Sequence, residues 1–116
     1  MTIVVERTQV PLASNAAAAC TLWARLKGLL GTARLPEGEA LILPSCRSIH
    51  TIGMRFPIDA VFVDRGWQVV ALRPQVRPWR LVPPVRGAWG VVETPSGTIA
   101  RSRVAMGDRL SIRPPV

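Results

Sequence analysis

The run Ile58-Asp59-Ala60-Val61-Phe62-Val63, followed by Asp64-Arg65-Gly66 and then residues 67–72, restricts the fold more than any other stretch of the chain. Two β-prone runs joined by a short glycine-containing turn predict a hairpin. After Asp59 the first run is apolar at every position, so both of its faces must be covered, as where a sheet curls around a core. A lone hairpin cannot provide that cover.

The remaining sequence offers mostly strands to provide it. Residues 2–9 are rich in β-branched side chains and predict a first strand ended by Pro11, whereas residues 14–19 fit more than one state. Leu22, Trp23, Leu26, Leu29 and Leu30 recur at helical spacing with Arg25 and Lys27 opposite, which predicts one short amphipathic helix from Thr21 to Gly28 or Gly31. Residues 40–43, 48–52, 89–94 and 109–113 read as strands. Pro74, Pro78, Pro83 and Pro84 predict an extended loop over residues 73–86, and Pro95-Ser96-Gly97 a turn or helix start. A chain of 116 residues hides roughly two thirds of its unfolded surface, enough for one core. The expectation is a single domain over residues 1–116, mostly β (α+β), built as a small barrel-like sheet with one or two short helices.

Charge is distributed unevenly. Residues 1–64 carry 6 basic and 5 acidic groups, a net +1; residues 65–116 carry 9 and 2, a net +7, which together give the formal +8. Such a skew draws anionic partners by long-range steering, although a genome rich in arginine codons would leave the same trace. Cys20 and Cys46 are too few for a disulfide scaffold in a chain that can build a core, so reduced thiols are expected. The stretch before Cys20 contains Gln9, Pro11, Ser14 and Asn15, which suit neither a secretory leader nor a membrane span. A cytoplasmic protein without a membrane span is therefore expected.

Cys46, His50 and Met54 are spaced four apart and would line one face of a helix as soft metal ligands. Ile49, Thr51, Ile52 and Gly53 favour a strand instead, on which positions four apart lie roughly 13 Å from one another at about 3.3 Å per residue. No metal and no cofactor are expected, and Cys46 reads first as a small buried hydrophobe and His50 as a structural histidine. Asp59 and Glu93 are lone acids in apolar strands and need neighbours, either backbone N–H groups or an arginine such as Arg25 or Arg55. The functional alternative is a small polar pocket where His50, Asp59 and Glu93 converge with an arginine. Arg73, Arg77, Trp79, Arg80, Arg86 and Trp89 interleave basic and aromatic residues, as in single-strand binders. With no common nucleic-acid motif present, a solvated loop whose Trp79 packs back on the sheet is preferred.

The order of motifs resembles a known family, the prokaryotic proteins grouped as domain of unknown function 192. Arg25-Leu26-Lys27-Gly28-Leu29-Leu30-Gly31 is similar to its Arg-x-x-Gly-Leu-Met stretch, and Pro57-Ile58-Asp59-Ala60-Val61-Phe62 resembles its Pro-Leu-Asp-Ile-x-Phe. Residues Val91-Val92-Glu93-Thr94-Pro95-Ser96-Gly97 look like its Val-Leu-Glu-x-x-Ala-Gly, and Gly107-Asp108 stands before the last strand. Where many members have Trp-Met-Lys-Asn-Thr, this chain has His50-Thr51-Ile52-Gly53-Met54, so His50 occupies a position that is elsewhere aromatic, which argues against a catalytic or metal role shared across the family and leaves open a role peculiar to this chain. The resemblance implies a compact barrel-like domain with a short helix and no assigned activity.

Three functions remain. The leading one is a binding or accessory module that recognises a partner or small ligand at a pocket formed by Arg25, His50, Met54, Asp59 and Glu93, with Arg25 as the charge partner. The second is a small hydrolase-like enzyme using Cys46 or His50 with these acids. The third is nucleic-acid binding through the arginines of residues 73–86.

Overall fold

The structure is a computed structural model that describes residues 1–18 and 35–114. The predicted helix near residues 21–31, with Arg25 and Cys20, lies outside the described residues. The described residues form ten strands and one short helix: β1 (Thr2–Val5), β2 (Val10–Ala13), β3 (Asn15–Ala18), β4 (Glu39–Leu43), β5 (Ile49–His50), β6 (Ile58–Val63), β7 (Val69–Val76), β8 (Leu81–Val82), β9 (Gly90–Pro95), α1 (Thr98–Ser102) and β10 (Leu110–Arg113). The mostly-β expectation holds.

These strands do not close into a barrel. They form a five-stranded sheet ordered β3-β4-β9-β6-β7, a three-stranded sheet β10-β1-β2 and a two-stranded ribbon β5-β8. Only β3 and β4 run parallel; the other pairs are antiparallel. Ile3, Val5, Leu12, Ala13 and Leu110 of the three-stranded sheet pack with Ala40, Ile42, Val61, Val63 and Val92 of the central sheet. The other face of that sheet, with Leu43, Ala60, Phe62 and Val91, packs against Ile49, Met54, Phe56, Val82, Val85 and Ala88 around the ribbon. The central sheet is therefore covered on both sides by separate layers. That is why β6 is buried at all six positions without a barrel.

Proline placement departs from the sequence reading twice. Pro11 lies inside β2, and Pro74 lies inside β7, which continues to Val76 rather than giving way to a loop. Both are edge strands, where a missing N–H breaks no central ladder. The first strand ends earlier than expected, at Val5, because residues 6–9 form a turn closed by the Gln9 N–H on Val5 O at 2.8 Å. On β7, a register shift opposite Ile58 and Ala60 places Gln75 at φ 51°, a β-bulge.

Candidate functional site: two buried acids and two open clefts

Asp59 is completely buried, and backbone N–H groups satisfy it. Its Oδ1 accepts from Gln75 N–H at 2.8 Å; its Oδ2 accepts from Gly97 N–H at 3.1 Å and Ile99 N–H at 2.8 Å. One carboxylate thus holds the β7 bulge and the first turn of α1. The helix has no acid in its first turn and no side-chain cap of its own, and its N-cap, Gly97, sits at φ 95°. Asp59 serves as that cap from β6, one of the two kinds of partner expected from its burial.

Glu93 is 1% exposed on β9 and is engaged in an interaction rather than bare. The strand register separates it from Asp59. Asp59 faces Thr94 and Ala60 faces Glu93 across the β6–β9 ladder. Directly opposed residues share a face and successive residues alternate, so the two carboxylates stand on opposite faces of the central sheet. They do not converge on one recess. Met54 is 6% exposed and packs in the core on the Glu93 face.

His50 lies on β5, half-buried, opposite Leu81. It lines a shallow groove of about 420 Å³ with Ser48, Ile49, Leu81, Val82, Pro83 and Pro84. Its Nδ1 is buried without a hydrogen-bond partner among the described residues. Cys46 Sγ lies 2.8 Å from Ser48 O. Among the described residues no group of three His, Cys, Asp or Glu side chains is placed to hold a metal ion.

A larger open cleft, of about 630 Å³, lies elsewhere. Ser45, Arg47, Asp64, Arg65, Gly66, Gly87, Ala88 and Trp89 line it. These residues follow β4, follow β6 and precede β9, three strand termini that antiparallel pairing gathers at one end of the central sheet. Trp89 N–H donates to Val63 O at 2.7 Å and Cys46 N–H to Trp89 O at 2.8 Å, fixing the three segments to one another. Asp64 Oδ1 accepts from Gly66 N–H at 2.9 Å and Gln68 N–H at 3.0 Å, so its charge is directed into its own turn. Trp89 is braced edge-to-face against Trp67, with ring centroids 6.1 Å apart. Arg47 and Arg65 are exposed and make no ion pair among the described residues.

Residues 3–112 match the family grouped as domain of unknown function 192, described as uncharacterized ACR. The chain belongs to this family. A UPF0127 protein of Thermococcus sibiricus is 36% identical over 94 residues, covering 78% of this chain and 60% of that protein. A UPF0127 protein of Pyrococcus furiosus is 41% identical over 63 residues, 54% of this chain and 53% of that protein. The chain thus spans between half and two thirds of the length of these relatives. A crystal structure of a protein of unknown function from Novosphingobium aromaticivorans superposes with a TM-score of 0.79 at 20% identity, covering 96% of this chain and 82% of that one. A second, from Sinorhizobium meliloti, gives 0.76 at 16% identity, with 95% and 89% covered. Both likenesses concern the fold.

In this member of the domain of unknown function 192 family, Trp79 does not pack back on the sheet: it is 65% exposed. Arg73, Arg77, Arg80 and Arg86 are exposed as well. Two features escaped the sequence reading. Asp108, 6% exposed at its side chain, takes Arg7 Nε at 2.7 Å and Nη2 at 3.0 Å, and its Oδ2 also accepts from Ala105 N–H at 2.8 Å. The Arg7 hydrogen bond is the chief cause that holds the Asp108 carboxyl below its ordinary value, and Arg7 is raised in turn. The cleft escaped because its lining comes from three separate turns, of which only Asp64-Arg65-Gly66 was legible as a turn.

Proposed function

We propose that the domain is a binding module, and that it takes a small anionic ligand with a flat ring in the cleft of Arg47, Arg65 and Trp89. The observation that carries this reading is two guanidinium groups without an ion pair among the described residues and an aromatic ring, lining one open cleft of about 630 Å³. Guanidinium forks match phosphate or carboxylate oxygens, and an indole face accepts a planar ring. The volume lies in the usual range for small-molecule sites. An enzymatic reading has less support. Asp59 is occupied by three backbone N–H groups, and the Nδ1 of His50 is shut away from solvent.

The test is calorimetric titration with adenosine diphosphate and, separately, inorganic phosphate. The nucleotide binds more tightly than phosphate, and Arg47→Ala or Arg65→Ala weakens it by about tenfold each, as expected for loss of a charge-assisted contact. No saturable heat with either probe, or affinity indifferent to both substitutions, would overturn the reading.

A further inference from the structure

Residues 40–58 and 65–92 contain seven arginines, Arg47, Arg55, Arg65, Arg73, Arg77, Arg80 and Arg86, and no acid. Three large apolar side chains that the fold leaves in water belong to the same stretches: Leu81 at 72% exposure, Trp79 at 65% and Ile52 at 43%. They are not scattered along the surface. Trp79 N–H donates to Thr51 O and Thr51 N–H to Arg80 O, each at 2.9 Å, while Leu81 pairs with His50 in the β5–β8 ribbon. Ile52, Trp79 and Leu81 therefore occupy two segments bonded into one tip.

That tip has a fixed shape. Thr51, fully buried at its centre, donates its hydroxyl to Arg77 O at 2.6 Å and accepts Arg80 N–H at 2.9 Å. Trp79 is held at φ 63°, a left-handed conformation that an indole-bearing residue adopts only where its surroundings impose it. The same two segments carry Arg55, Arg77 and Arg80, with Arg73 just before on β7, all exposed and none in an ion pair among the described residues.

We infer that this tip is a peripheral docking surface for an anionic phospholipid membrane. Exposed apolar side chains interspersed along the chain with exposed arginines need a partner that is negative at its surface and apolar just beneath it. A bilayer with acidic headgroups offers both at every point: phosphates for the guanidiniums, the interface for the indole, and the acyl boundary for leucine and isoleucine. Single-stranded nucleic acid would engage Trp79 and the arginines, but bases stack on rings and return little to Ile52 and Leu81. An acidic protein would have to carry apolar hollows for all three side chains among its carboxylates. No described helix is long and apolar enough to cross a membrane. The inference is independent of the ligand cleft, which lies at the sheet end.

The experiment is co-sedimentation of the full chain with vesicles of phosphatidylcholine alone and of phosphatidylcholine mixed with phosphatidylserine. Binding to the mixed vesicles exceeds binding to the neutral ones by at least tenfold, and falls with salt as each nearby arginine contributes about fivefold. Arg77→Ala with Arg80→Ala lowers the partition coefficient by about 25-fold. Trp79→Ala with Leu81→Ala lowers it at least as much, with the urea midpoint of the variant confirming that it is folded. Equal partition on both vesicle types, absence of partition, or partition unchanged in the folded Trp79→Ala, Leu81→Ala variant would overturn the proposal. So would a Trp79-dependent complex with oligothymidylate in the same buffer where vesicles bind nothing.

Discussion

Asp59 and the Arg77–Leu81 tip treat charge in opposite ways. Around Asp59 a single buried carboxylate meets three backbone donors and is spent entirely on holding chain segments together. At the tip, arginines and three large apolar side chains face solvent on a backbone that is itself well bonded. Burial thus identifies what the fold needs, whereas recognition is to be sought where groups are exposed although the backbone beneath them is rigid. Asp59 belongs to the former kind, and the loop expected to be plain solvated surface to the latter.

This contrast would break first at Asp59. Asp59→Ala strands three backbone donors, two of them at the start of α1, and should cost about 3 kcal/mol in urea unfolding. A smaller loss, about 2 kcal/mol, is expected for Thr51→Val, which removes one donor and one acceptor beneath the tip without changing side-chain size. If that variant unfolds like the wild type, the tip backbone is not held as described.

Acid sharpens the comparison at a third place, where a carboxylate meets an arginine that is itself 55% exposed. Asp108 is depressed from its ordinary value of 3.8 mainly by the Arg7 hydrogen bond. Its stabilising share is complete above that value and is lost as pH falls below 3.8 toward the depressed one. Arg7→Ala should lower stability at neutral pH by a small amount, since solvent screens so exposed a cation, and the difference from the wild type should vanish as Asp108 protonates, which flattens this part of the acid-unfolding profile. The smallest stability effect belongs to the tip side chains: Trp79→Ala and Leu81→Ala should each shift unfolding by no more than about 0.5 kcal/mol. A larger loss would mean that these side chains are packed in solution.

Much of this arrangement was legible in the residues. The two-faced apolarity of residues 58–63 announced a strand covered on both sides, and the lone acids announced buried partners. Which partners was not legible, because the donors to Asp59 lie 16, 38 and 40 residues away. Whether Asp59 and Glu93 share a recess depends on register parity, and one residue of offset sends a side chain to the other face. The barrel expectation erred for a related reason: a run apolar on both sides fits equally a curled sheet and a flatter one covered by two layers. Pro74 misled because edge position, which decides whether a proline is tolerated, is a property of the sheet and not of the segment. Arg7 and Asp108, 101 residues apart, carry no local sign of each other.

The division between a spent buried acid and available cations is tested most directly by urea unfolding of Asp59→Asn. The substitution keeps size and removes charge, and it sets an amide N–H₂ against at least one of the backbone donors now bound to the carboxylate. The account predicts a loss within about 1 kcal/mol of that for Asp59→Ala, because acceptor capacity rather than volume is what the site uses. An unfolding midpoint equal to that of the wild type would contradict it.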